Sequence, residues 1–289
     1  MGTSASSKGP GGGVPMVPPW VPPIPLSPPS QDGDGTGPTD SGDQDGQLPI
    51  TPNQSAAQIP PSPIAPAARF GGARLSLGKF GRGGDRQDMQ RGIGDYVRRG
   101  YGGQATAVRR FGGTAATAGT LHGALSSVAR GQAATPGSRL DPALLAGRSA
   151  REVMDAIIEA VRPGDGTQDA EASRVAIKDA LSELLTMFPD ADLLNLTEDQ
   201  RGMAIERFVA LDVYQRAVLD IGKAIQDKAP TATVALSRLK EVKEYVKQTV
   251  AAAFRKLQSA GHRVTTGRVN KVVRAALEET FQVFEGYAL

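Results

Sequence analysis

Residues 231–260 read TATVALSRLKEVKEYVKQTVAAAFRKLQSA. Within them Ala235, Leu239, Val242, Val246, Val250, Ala253 and Leu257 recur in steps of three and four. That spacing puts all seven on one stripe of a 3.6-residue helix. A strand needs strict alternation, and no alternating pattern occurs along the chain. Pro230 breaks the preceding segment and Gly261 is a natural C-terminal stop. The stretch therefore predicts one long helix, from about Thr231 to Ala260, whose apolar stripe needs other apolar stripes to cover it.

Such stripes are present before and after it. Ser149-Ala150-Arg151-Glu152 is a capping box that opens a helix, with Val153, Ile157, Ala160 and Val161 inward and Pro163-Gly164 at its end. A second helix is expected from about Ala170 to Met187, with Val175, Ile177, Leu181, Leu184 and Leu185 inward and Pro189 as its stop. Thr197-Glu198-Asp199-Gln200 repeats the capping box ahead of Met203, Ile205, Phe208, Leu211, Val218, Ile221 and Ile225. A last helix begins near Thr266 and carries Val269, Val272, Val273, Ala276, Leu277 and Phe284. The prediction is an all-α chain, with a C-terminal bundle of about five helices over residues 141–289.

The first quarter is a different material. Sixteen of the 21 prolines lie at or before Pro66. Gly9-Pro10-Gly11-Gly12-Gly13 is costly to order, and the run from Pro18 to Pro25 favours polyproline II. Residues 1–66 are therefore expected to form a long disordered Pro/Gly-rich tail. Yet the tail holds the only tryptophan, Trp20, within Val14, Pro15, Met16, Val17, Pro18, Pro19, Trp20 and Val21. An apolar, stiffened segment without a fold is the form of a docking peptide. The competing reading is a plain tether.

Residues 67–140 are read as an Arg/Gly-rich basic segment with weak short helices. One is placed over Asp85–Arg99, with Met89, Ile93, Tyr96 and Val97 on one side, and another over Thr114–Arg130. Up to residue 113 the segment repeats arginine, aromatic and glycine, as in Arg69-Phe70-Gly71-Gly72 and Arg109-Arg110-Phe111-Gly112-Gly113. It carries ten basic against three acidic groups. The composition resembles RGG-type nucleic-acid segments, in which arginines meet phosphates and aromatics stack on bases. Arg69, Arg74, Lys79, Arg82, Arg86, Arg98, Arg99, Arg109 and Arg110 are the candidate contacts. The alternative is that this segment docks on the acidic stretch 148–227, which has nine basic and sixteen acidic groups.

Much chemistry is excluded by residue type. There is no cysteine, which removes disulfides and thiolate chemistry. His122 and His262 are far apart and lack ligand-like neighbours, so no metal site is expected. No phosphate-cradling GxxxxGK[ST] loop, HExxH or nucleophile elbow is present, so no cofactor is expected. Glu278-Glu279, and the face of Lys240, Lys243 and Lys247, read as solvated or ion-paired surface. No run reaches the roughly 18 apolar residues of a membrane span, and no secretory signal is found. The expected setting is the cytoplasm, without a membrane partner.

The N-terminus remains. Loss of Met1 exposes the α-amine of Gly2, whose reference pKa near 8 leaves a neutral, nucleophilic fraction at physiological pH. The small residues Thr3 to Ser7 allow this end to thread into a narrow site. Met1-Gly2-x-x-x-Ser6 also fits the short myristoylation rule.

Taken together, Met1-Gly2-Thr3-Ser4, Gly9-Pro10-Gly11-Gly12, Pro15 and Val17-Pro18-Pro19-Trp20 resemble the start of the QatB family of the bacterial Qat anti-phage defence system. The resemblance implies operon partners: a P-loop ATPase, a QueC-like enzyme and a TatD-like nuclease. It further implies a non-enzymatic subunit whose tail is bound by the QueC-like, ATP-dependent enzyme. Gly2 would be the acceptor for modification and Gly11 to Val21 the recognition peptide. The alternative function is a nucleic-acid-binding adaptor acting through residues 67–113.

Overall fold

The computed structural model describes residues 68–134 and 137–288. The tail of residues 1–66, with Gly2 and Val14–Val21, lies outside the described residues.

Among the described residues every regular element is helical. The elements are α1 (Gly71–Gly83), α2 (Arg86–Asp95), α3 (Gln104–Arg110), α4 (Gly112–Val128), α5 (Pro142–Leu145), α6 (Ala150–Val161), α7 (Gln168–Met187), α8 (Glu198–Ala217), α9 (Lys223–Lys228), α10 (Ala232–Ser259) and α11 (Val269–Glu285). None of these helices is long and apolar enough to cross a membrane. The five expected C-terminal helices correspond to α6, α7, α8–α9, α10 and α11.

Local chemistry sets their ends. Both capping boxes form: Ser149 Oγ accepts the Glu152 N–H at 3.3 Å and the Glu152 carboxylate accepts the Ser149 N–H at 3.0 Å, with Thr197 and Gln200 repeating the pattern. Thr231 caps α10 by accepting the Val234 N–H at 3.2 Å. The stripe of α10 is buried along Ala235, Leu239, Val242, Val246, Val250 and Ala253. Burying each Val or Leu contributes about 1.5–3 kcal/mol. α10 packs on α8 and α11, while α8 packs on α7 and α4. The lysine face of α10 is ion-paired: Lys243 meets Asp179 at 3.4 Å and Lys247 meets Glu183 at 2.9 Å.

Residues 67–140 are used differently from the sequence expectation. α1, α2 and α4 belong to the same core as α6–α11, and packing runs across position 140 without a break. Phe70, Phe80 and Phe111 point inward, and the glycines admit neighbouring backbone. A Cβ on Gly81 would lie 2.9 Å from the Ile225 carbonyl oxygen of α9. A Cβ on Gly94 would lie 2.6 Å from the Ala288 nitrogen beyond α11. Gly81 and Gly94 thus serve close helix packing.

Two helices widen where the sequence pattern shows no interruption. α2 continues into a π-turn at Tyr96–Gly100, and α8 into a second at Val218–Gly222 before α9. In the first, the Tyr101 N–H reaches back five residues to the Tyr96 carbonyl at 3.1 Å. In the second, the Asp220 carbonyl accepts from Arg74 Nε at 3.1 Å and Nη2 at 2.8 Å. Arg74 therefore ties α1 to the second π-turn.

Candidate functional site

The two π-turns meet at a side-chain cluster that joins residues more than a hundred positions apart. Tyr96 donates its hydroxyl to Asp220 Oδ2 at 2.9 Å, and Tyr101 donates to the same oxygen at 3.1 Å. The two phenol oxygens lie 3.1 Å apart. Phe70 packs on both rings, with centroids at 5.2 and 5.7 Å. The aromatic contacts continue inward from Tyr101 to Phe111 and on to Phe281. π-turns inside α-helices recur at functional sites, because one extra residue re-aims side chains.

Burial is the main reason the Tyr96 phenol is held well above its ordinary value; Tyr101 and the Asp220 charge push the same way. Burial likewise pushes Tyr101 up to about 12, with Asp220 adding to it. Both phenols therefore stay protonated donors at neutral pH. The unfolded value is near 10. Stability from the protonated Tyr101 phenol is fully present below pH 10 and is lost as pH rises through about 12, and the Tyr96 contribution likewise persists above pH 10. Phenolate absorbance near 295 nm should accordingly lag behind an unfolded control at pH 10–11, with loss of helical circular dichroism at higher pH. A phenolate titration matching the unfolded control would show that the cluster is open to water.

Beside this cluster lies a pocket of about 290 Å³ lined by Arg69, Tyr101, Arg110, Gln168, Asp169, Arg216, Leu219 and Asp220. Its arginines are not equally held. Arg216 donates from Nε to Asp212 at 3.1 Å and from Nη1 to Asp169 at 3.1 Å, and its guanidinium sits 5.2 Å from the Phe111 centroid. Arg69 rests over the Phe70 ring at 4.4 Å. Arg110 is exposed.

Asp212 is the buried anchor behind Arg216. It is fully buried and accepts Thr114 Oγ1 at 2.5 Å and Ser173 Oγ at 2.6 Å in addition to Arg216. One carboxylate thereby joins α4, α7 and α8. A buried carboxylate is tolerated when its lone pairs are filled in this way.

The nine basic residues singled out from the sequence are dispersed among these features. Arg69 and Arg110 share the pocket, and Arg74 holds the Asp220 carbonyl. Arg98 donates to the Ala288 carbonyl at 3.2 Å, Arg99 pairs with Asp95 at 3.3 Å, Arg86 lies 5.8 Å from the Tyr245 centroid, and Arg109 donates to Thr106 at 3.1 Å. Lys79 and Arg82 are exposed on α1. The expected aromatic stacking on bases is corrected: Phe70, Phe80 and Phe111 are 5%, 0% and 0% exposed and cannot offer a ring face.

Asp169, Asp212, Arg216 and Asp220 escape sequence reading altogether. They sit in ordinary helical surroundings, and only the fold brings them to Tyr101 and Arg110. The local signals were the Arg69-Phe70 and Arg109-Arg110-Phe111 motifs, which did mark Arg69 and Arg110.

A family model described as Qat anti-phage system associated protein QatB matches residues 102–284. The matched region includes Arg110, Asp169, Asp212, Arg216 and Asp220. No curated protein and no solved structure matches the chain.

Proposed function

The chain belongs to the family of the Qat anti-phage system associated protein QatB, matched over more than half its length, and takes part in Qat anti-phage defence; from that membership we propose that it is a non-catalytic subunit that presents its N-terminal tail to another component of the system. The supporting observation is the composition of that tail. Gly2 opens it, and Val14, Pro15, Met16, Val17, Pro18, Pro19, Trp20 and Val21 form an apolar, stiff peptide. Such peptides bind with little further ordering cost. The proposed receiver is a QueC-like ATP-dependent enzyme of the same operon, with the Gly2 α-amine as its acceptor. The P-loop ATPase and the TatD-like nuclease are the other proposed partners, and the cytoplasm is the proposed setting.

Intact-mass spectrometry of the chain co-expressed with its operon tests this reading. The expected result is a mass increase located on Gly2, which disappears with Trp20→Ala or with deletion of residues 2–21. An unmodified Gly2 in every condition, together with full defence after tail deletion, would overturn it.

A second reading is favoured by one observation: Arg74, Arg82, Arg86, Arg98, Arg99, Arg109 and Arg110 are all exposed. In it the chain is a nucleic-acid adaptor that contacts phosphates through these groups, without base stacking. Its affinity would fall steeply across a salt series. No binding at low salt ends that reading.

A further inference from the structure

We infer that the pocket walled by Arg69, Tyr101, Arg110 and Arg216 binds a small phosphorylated ligand: free phosphate, or a phosphate ester of mononucleotide size or less. This goes beyond the tail reading and uses only residues of the helical body.

The charges in the pocket are unequally spoken for. Asp220 Oδ2 already takes both phenol hydroxyls, and Asp169 is taken by Arg216. Among the described residues, Arg69 and Arg110 have no carboxylate within ion-pair distance. Two guanidinium groups thus line the same space without an ion-pair partner among the described residues. Their fork geometry suits phosphate oxygens, which accept paired N–H bonds.

The walls are also ordered in advance. Arg216 is gripped from two sides by Asp212 and Asp169, and the Arg69 guanidinium is stacked on Phe70. Groups fixed before binding cost less entropy when the ligand arrives. Gln168, the first residue of the 20-residue helix α7, adds the positive end of that helix to the wall. A volume of about 290 Å³ lies just below the range of about 300–1,000 Å³ typical of small-molecule sites. That favours one phosphate-bearing group over a polymer, whose phosphates would also engage the exposed arginines outside the pocket.

Calorimetry on the full chain, with inorganic phosphate and separately with a nucleoside monophosphate and a nucleoside triphosphate, tests the inference. Saturable binding of at least one probe is expected. Binding of phosphate alone identifies the free anion as sufficient, and binding of only the nucleotides identifies the ester. Arg110→Ala is expected to weaken binding by about tenfold or more, while Arg82→Ala leaves it unchanged. Arg110 is exposed and its side chain makes no hydrogen bond or ion pair among the described residues, so its loss should leave the melting temperature intact. Arg69→Ala provides the second variant. The inference is overturned by absence of saturable binding at millimolar probe, or by equal weakening in Arg110→Ala and Arg82→Ala.

Discussion

Asp212→Ala is expected to destabilise the helical body by about 3–5 kcal/mol, the usual cost of removing one partner of a buried charge network. The carboxylate is fully buried, and three donors converge on it from α4, α7 and α8. Its removal leaves Thr114 Oγ1, Ser173 Oγ and the Arg216 Nε–H to find other partners in a space that admits little water. Each orphaned neutral group costs about 1–3 kcal/mol and the cation more. For a body of this size the melting temperature should fall by roughly 6–20 °C. Asp212→Asn keeps the shape and should cost less, because both hydroxyls can turn to suit an amide while only Arg216 loses a charge partner. Thermal unfolding followed by circular dichroism checks both variants. If Asp212→Ala falls by less than about 1 kcal/mol, the three-helix junction is held by apolar packing alone.

Phe111→Ala is the second large effect, at about 3–5 kcal/mol for truncating a fully buried aromatic. Phe111 is 0% exposed and contacts Tyr101 at 5.7 Å and Phe281 at 4.9 Å between ring centroids. Its loss opens a cavity where the aromatic chain passes from the pocket into the core. The neighbouring exposed Arg109→Ala should stay within about 0.5 kcal/mol. Chemical denaturation of the pair makes the contrast direct. If Phe111 served to stack on bases, the outcome would reverse: stability would hold in Phe111→Ala and oligonucleotide binding would drop.

That contrast marks the boundary of what the sequence carries. The helices α6 to α11 are legible because their stripes recur every three or four residues and their ends carry Ser149, Thr197 and Gly261 in roles set by backbone hydrogen bonding. The helix over Asp85–Arg99 is legible for the same reason, since Met89, Ile93, Tyr96 and Val97 share a face. The use of the Arg-Gly-aromatic segment is not. Glycine beside an aromatic describes a solvated, base-stacking strand and a tightly packed helix equally well. Only the approach of Ile225 to Gly81, and of Ala288 to Gly94, decides between them. The pocket is still less accessible to sequence reading. Tyr101 and Asp220 are 119 positions apart and Asp212 and Thr114 98, and neither pair leaves a local pattern.

The π-turn at Val218–Gly222 has one further consequence, which concerns phase. A π-turn holds one residue more than the α-turn it replaces. Each residue of an α-helix advances the helix by about 100° around its axis. The wider turn takes up the angle of the extra residue, and Ile225 of α9 meets the bare backbone of Gly81. Deleting any one residue from 218–222 would let the two helices merge into a regular α-helix. It would leave Ile225 facing α1, because the lost residue and the lost widening cancel, but would disturb the Asp220 carboxylate, which the turn itself aims at both phenols. The spacing between Ala217 and Lys223 is thus a counted length, as fixed in number as the residues themselves are in kind.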